Sequence, residues 1–594
     1  MDASGPPGRG RAGFWGFNKT KYMTDALIVR IRFLSIVVFL GGTLLVARLF
    51  FVQIVRGEAF RAEAGAQYVA PVEDSFGRGS IFFQNKDGSR GDEAATLKSG
   101  FTIAINPKAI PDPEALFGAL SAVIPDLDSA DFFLRAGKKN DPYEEIARRL
   151  PAAVATAVKK LGIPGVFILE ERWRYYPNDT LAAHLLGFVG SDGDALSGQY
   201  GIERYYDHVL KRENEDVHIN FFAEIFANLE HSLFYDDAAS REGDIVLSVE
   251  PAVERFLGNI LDAALREWRT ERGGGIVINP KTGEIYAMEA RPSFNPNAYG
   301  ESGGFTVFAN PLVENVFEMG SIIKPLTVAF GIDSGAITAK STYYDTGTIE
   351  VSGLTIGNYD GKARGVTGMQ DILNKSLNLG AVHIMQKTGK ETFARYMAAL
   401  GFGEETGIDL PNEAPGLLDN LETRRDVEFA TASYGQGIAV TPIAVVRALS
   451  ALANGGILVT PHVAERVLYK VGSTREIAYD DAKRVLKKET TEEVTRMLVN
   501  TVDTALQKGR VMLPHWSIAA KTGTAQLPSP DGGYYKNKFL HSFFGYFPAY
   551  DPQFLVFLYI IDPQGASYSS ETLTQPFMDT AKFLINYYGV PPDR

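Results

Sequence analysis

A chain of 594 residues with 45% apolar content and a net charge of −12 can build several full cores and has no general electrostatic attraction for nucleic acid. It contains no cysteine, which excludes disulfides, thiolate metal sites and a cysteine nucleophile. Its eight histidines, at 184, 208, 218, 231, 383, 462, 515 and 541, never pair at helical ligand spacing. They read as structural or surface residues, and no metal or other cofactor is expected.

In chain order, a basic tail comes first: Arg9, Arg11, Lys19, Lys21, Arg30 and Arg32 stand against few acids. Gly8-Arg-Gly-Arg-Ala-Gly13 formally matches a dinucleotide fingerprint, but no strand precedes it and no ribose-binding acid follows in a βαβ unit. Residues 33–47 carry no charge, and the apolar run resumes past Arg48 to residue 55. The total reaches the roughly 20 residues that a bilayer-spanning helix needs. The expectation is a cytoplasmic tail at 1–29, a single transmembrane helix at 30–55 in the cytoplasmic membrane, and an extracytoplasmic body. The long tail and the lack of a small-residue cleavage site argue against a cleaved signal peptide.

Residues 56–240 read as a mixed α+β module without a catalytic constellation. Pro113 and Pro151 each open an amphipathic helical pattern there. From about 241 to 594 the pattern suits an enzyme domain. Strands are expected at Asp244–Val249, Gly275–Ile278 and Glu284–Met288, with a helix from Ala252 to Trp268. Helical and mixed segments occupy about 321–510, strands return at Ser517–Thr524, Ser542–Phe547 and Phe554–Ile561, and a last helix runs from about Phe577 to Tyr588. The first and last thirds would supply one antiparallel sheet and the helices its layers, an α+β fold.

Three short motifs in this domain carry chemistry. Ser321-Ile-Ile-Lys324 puts a hydroxyl and an amine on one helical face. A Ser three residues before a Lys arises by chance on the order of once in a chain this long, but Ser321/Lys324 has no rival here. A lysine serves as base only when neutral, and burial or a second cation lowers its affinity for the proton. Lys521, in Lys521-Thr522-Gly523-Thr524, is the candidate second cation. Thr522 and Thr524 can hold a carboxylate, and Gly523 would let a substrate backbone approach. Ser376-Leu-Asn378 adds a hydroxyl for proton relay and an amide for a substrate carbonyl.

With their flanks, the three motifs resemble those of the class B penicillin-binding proteins, monofunctional peptidoglycan D,D-transpeptidases. Supporting stretches include Arg48–Gly57, Arg78-Gly-Ser-Ile81, Arg174-Tyr-Tyr-Pro177, Gly201-Ile-Glu203, Thr282–Met288, Tyr434-Gly-Gln-Gly437, Ala453-Asn-Gly-Gly456 and His541-Ser-Phe-Phe-Gly-Tyr-Phe-Pro548. The resemblance implies a penicillin-binding transpeptidase fold with helices on both sides of its sheet, preceded by an extended pedestal or dimerisation-like domain. It implies that Ser321 attacks the D-alanyl-D-alanine bond of a stem peptide with Lys324 as base, releasing D-alanine and passing the acyl group to an amine. Ser376 and Lys521 would assist proton transfer, Asn378 and Thr522–Thr524 would hold the donor, and N–H groups of Ser321 and Thr524 would form the oxyanion hole. β-Lactams are the expected inhibitors, and a membrane glycan polymerase of the shape-elongation-division-sporulation family is the expected partner of the pedestal and membrane helix. The alternatives are a D,D-carboxypeptidase or β-lactamase-like hydrolase on the same fold, and a non-enzymatic β-lactam sensor. Two stretches depart from the family pattern: Phe83-Gln-Asn-Lys-Asp-Gly88, and Ser248-Val-Glu250 where Thr-Ile-Asp is usual.

Overall fold

The computed structural model describes residues 39–43, 48, 77–192, 195–212, 242–423, 425–469, 474–479 and 482–594. Residues 1–74 and 75–594 are separate units. In the first, 39–43 are helical, and almost all of the span expected at 30–55, with the basic tail, lies outside the described residues. Among the described residues no helix is long and apolar enough to cross a membrane.

The second unit is organised by two sheets. The first, the catalytic sheet, has five antiparallel strands in the order Ile285–Arg291, Arg272–Ile278, Phe554–Ile561, Tyr534–Phe547, Ala519–Pro528. Its middle strand, Phe-Leu-Val-Phe-Leu-Tyr-Ile-Ile, is buried along its whole length. That follows from layers on both faces, since a strand covered on both sides has no need of polar alternation. Period two then divides its side chains. Val556, Leu558 and Ile560 pack with Leu257 and Leu261 of the Pro251–Glu267 helix and Phe577, Ala581 and Leu584 of the Thr574–Tyr588 helix. Leu555, Phe557 and Tyr559 belong to the opposite core, with Leu326 and Phe330 of the Lys324–Asp333 helix. That helix is apolar nearly all round and sits inside the domain, its Lys324 fully buried.

The second sheet has seven strands and belongs mainly to the pedestal. Its long strand Arg90–Ile105 pairs with Ile81–Gln84, Glu144–Leu150 and Val166–Tyr175. The strand expected at Asp244–Val249 forms as Gly243–Leu247 but joins this sheet and not the catalytic one. It pairs in parallel with Ile81–Gln84 and antiparallel with Ala464–Tyr469. The physical reason lies in Gly79. A Cβ there would come within 2.2 Å of Gly243 O, so the two chains are in backbone contact before any side chain is counted. The two modules therefore share a sheet. The departure at Ser248-Val-Glu250 is accommodated locally: Glu250 caps the next helix by accepting from Val253 N–H at 2.8 Å, and Pro251 follows in its first turn.

The three pedestal stretches that support the resemblance converge. Arg78 Nε and Arg174 Nε donate to the two oxygens of Glu203 at 2.6 and 2.5 Å, and Tyr176 O–H donates to the same carboxylate at 3.2 Å. Glu203 is fully buried. Burial opposes its ionisation, yet the two guanidiniums outweigh it and hold the carboxyl below the usual value. Arg174 also donates to Gly79 O at 2.7 Å, which ties this ion cluster to the junction with the catalytic domain.

Candidate active site

The site lies between the edge strand Ala519–Pro528, the start of the Lys324–Asp333 helix and the Ser376–Asn378 turn. Gly320-Ser-Ile-Ile323 is a 3-10 turn that runs straight into the α-helix, with Pro325 in its first turn where no N–H is missed. Residues three apart lie in line along a 3-10 turn, so Ser321 and Lys324 share a face. Lys324 points inward. Its Nζ donates to Ser376 O at 2.7 Å, Asn378 Oδ1 at 2.7 Å and Ser376 Oγ at 3.3 Å. Lys521 Nζ donates to Ser376 Oγ at 3.1 Å and to Thr522 O at 2.9 Å. The Ser376 hydroxyl thus bridges two buried lysines. Ser321 is half-buried, and its hydroxyl makes no hydrogen bond among the described residues.

The electrostatics follow from what is missing around this pair. Burial pushes Lys324 well below its usual value, and the positive charge of Lys521 pushes it further. Burial alone brings Lys521 down to about 7. Among the described residues no carboxylate hydrogen-bonds either amine. Both shifts make the neutral amine easier to reach than in an ordinary lysine, beside the hydroxyls of Ser321 and Ser376.

Ser376 reaches both lysines by adopting a left-handed backbone, φ +52°. That conformation costs a non-glycine residue on the order of 1 kcal/mol or more, and it persists because Ser376 O and Oγ are both engaged by lysine.

The edge strand alternates. Lys521, Gly523 and Ala525 are buried, while Thr522 and Thr524 are half-exposed toward the cleft. Gly523 has a packing reason of its own. The close neighbours of a Cβ there are the protein's own Ser542 Oγ at 2.3 Å and Met319 O at 2.7 Å, so glycine is required by the packing of the Ser321 turn whatever approaches from outside. Gly320 has φ +62°, and its Cβ would meet Thr524 O at 2.7 Å. The Thr524 carbonyl hence faces the Ser321 turn from the free edge of the sheet. In an antiparallel strand a residue's N–H points the same way as its C=O, which aims Thr524 N–H at the same space. Thr524 Oγ1 accepts from Ser569 N–H at 3.2 Å, leaving its own proton to donate.

Several contributors escaped the sequence reading. Glu318 sits just before the nucleophile turn and accepts from Gly437 N–H at 3.0 Å and Tyr534 O–H at 2.8 Å, with burial raising its pKa. It joins the Tyr434–Gly437 stretch to the hairpin beside the cleft. Tyr359 and Tyr568, both exposed, meet edge to face with centroids 5.7 Å apart. A small β-lobe at 342–368 holds Asn378, whose Nδ2 donates to Gly357 O at 2.9 Å. Its sequence shows only turn chemistry.

Comparison with known proteins bears on this geometry. The penicillin binding protein transpeptidase domain matches residues 273–580, just over half of the chain, and the penicillin-binding protein dimerisation domain matches 77–221. The chain belongs to the class B penicillin-binding proteins. Among relatives of this class B protein, stage V sporulation protein D of Bacillus subtilis is 30% identical over 539 residues, covering 89% of this chain and 81% of that protein. The peptidoglycan D,D-transpeptidase FtsI of Buchnera aphidicola is 26% identical over 589 residues, covering 97% and 98%. The fold is also that of penicillin-binding protein 2X from Streptococcus thermophilus, with a TM-score of 0.70 at 19% identity over 87% of this chain and 81% of that one.

Proposed function

We propose that this protein is a serine D,D-transpeptidase of peptidoglycan synthesis, cross-linking stem peptides through an acyl-enzyme on Ser321. The observation that carries the reading is the Ser376 hydroxyl bridging two proton-poor lysines next to an unbonded Ser321. In this reading Lys324 takes the Ser321 proton as the hydroxyl attacks the carbonyl between the last two D-alanines. Ser321 and Thr524 N–H groups stabilise the oxyanion. The proton passes through Ser376 and Lys521 to the departing D-alanine amine, and the acyl group then goes to an amine of a neighbouring stem. Asn378 holds the donor backbone, and Thr522 and Thr524 hold its carboxylate. A β-lactam would acylate the same serine, because its ring carbonyl takes the place of the scissile bond.

The wider assignment rests on the sequence: a tail at 1–29, a membrane helix at 30–55, a pedestal at 56–240 and the enzyme from 241, with the catalytic body extracytoplasmic. The pedestal and membrane helix are assigned to a membrane glycan polymerase partner. Persistence of polymerase binding and stimulation after deletion of 77–212 would sink that part.

The central test is covalent labelling of the full-length protein in detergent with a fluorescent penicillin. A stable adduct in wild type that is absent from Ser321→Ala is expected. A well-folded wild type that forms no adduct and turns over no penicillin would overturn the reading.

A further inference from the structure

We propose that Asp345 and Asn358 form a positioning pair that fixes the carboxamide of Asn378 and thereby the acceptor presented to Lys324. The inference rests on the transpeptidase reading above and adds residues outside its motifs. It begins with a group that is costly to bury. Asp345 is fully buried in the β-lobe, where Thr342–Asp345 pairs with Gly365–Gly368. Its carboxylate accepts from Gly347 N–H at 2.8 Å and from Asn358 Nδ2 at 3.0 and 2.9 Å. Tyr343 O–H lies 3.3 Å from it.

Asn358 is buried in turn, and every polar group on it is engaged. Its Oδ1 accepts from Leu379 N–H at 3.2 Å, in the first turn of the Asn378–Thr388 helix, and its own N–H donates to Gly347 O at 3.0 Å. These bonds fix the peptide just before it, so Gly357 C=O faces Asn378. A carbonyl only accepts, so the Asn378 amide must turn its NH2 toward Gly357 O. Its Oδ1 is then left for Lys324 Nζ. A flipped amide would set oxygen against oxygen at Gly357 and an N–H donor against the lysine. A turn-holding Asp–Asn pair alone would need only the bonds inside the lobe. The bond to Leu379 N–H and the carbonyl presented to Asn378 leave the lobe and end at the catalytic cluster.

The test measures the acylation rate constant of the full-length protein with a fluorescent penicillin, separately from the dissociation constant of the preceding non-covalent complex. Asn358→Asp sets two carboxyls against each other and is expected to slow acylation about 10- to 100-fold with little change in initial binding. Asn358→Ala is expected to slow it by a smaller factor. The exchange Asp345→Asn with Asn358→Asp lets a carboxamide at 345 donate to a carboxylate at 358, which still accepts from Leu379 N–H. It is expected to restore the rate to within about 3-fold of wild type. Single variants that acylate at the wild-type rate would overturn the pair's role. So would an exchange that recovers the wild-type unfolding midpoint while acylation stays slow, which also decides the matter should Asn358→Asp fail to fold. Absence of an adduct in wild type itself would instead mark failure of the transpeptidase reading.

Discussion

Two buried charge clusters in this protein are built on opposite rules. In the pedestal, Glu203 lies between Arg78 and Arg174, so each charge has a counter-charge and burial strengthens the attraction. In the catalytic domain, Lys324 and Lys521 approach a common hydroxyl, and among the described residues no carboxylate is bonded to either. The first arrangement holds charges on, and the carboxyl stays ionised despite complete burial. The second drives charges off, and both amines lose affinity for protons. The contrast shows that burial alone does not mark an active site. What separates a strut from a base is whether the buried ion has been given its opposite.

The contrast breaks most sharply at Lys324. Lys324→Met removes the amine proposed as base and takes a donor from Ser376 O and Asn378 Oδ1. Acylation by fluorescent penicillin should fall about 10³-fold, equivalent to about 4 kcal/mol on the barrier. Acylation at near wild-type rate would assign the base elsewhere. In the pedestal, Glu203→Gln leaves Arg174 without its counter-charge and Arg78 with Asp207 alone. It should destabilise the protein by about 3 kcal/mol in urea unfolding, with the acylation rate of the folded fraction unchanged. A loss below about 0.5 kcal/mol would mean the arginines find water or Asp207 sufficient.

The parts of this structure legible in the sequence are those whose reason is local. The strand at 554–561 announces itself by eight consecutive apolar residues, and the Pro251–Glu267 helix by its cap, its proline and its spacing. The three motifs stand out because each lies in three or four adjacent residues, and the fold brings Lys324, Ser376, Asn378 and Lys521 together. What stayed hidden depends on contacts distant in sequence. Nothing in Gly243–Leu247 says that it pairs with Ile81–Gln84, because that choice is made by backbone contact at Gly79. Gly523 reads as room for a substrate, and its packing against Met319 O and Ser542 Oγ shows only in the fold. Asn358 has an ordinary turn sequence, and only the folded lobe turns it toward Leu379 and Asn378.

The smallest expected effect separates the clusters by pH. For Lys521, the folded pKa of about 7 lies below the unfolded value near ~10.4, so the unfolded chain binds more protons across that window. Stability contributed at this site therefore rises with pH from about 7 to about 10, and the cost of burying the charge is fully present below 7. Lys521→Met should accordingly stabilise the protein by about 1–3 kcal/mol at pH 7 and by less at pH 10, while acylation falls. For Glu203 the folded pKa lies below the unfolded one, so its contribution is present above the ordinary glutamate range near ~4.3 and is lost as pH falls through the folded value. Urea unfolding of wild type, Lys521→Met and Glu203→Gln at pH 4, 7 and 10 would read both windows. The lysine substitution should flatten the neutral-to-alkaline arm and the glutamate substitution the acid arm. A Lys521→Met gain that is equal at pH 7 and 10 would mean that Lys521 keeps its proton in the folded protein, and that the cluster is held by hydrogen bonds to Ser376 and Thr522 and not by the loss of charge.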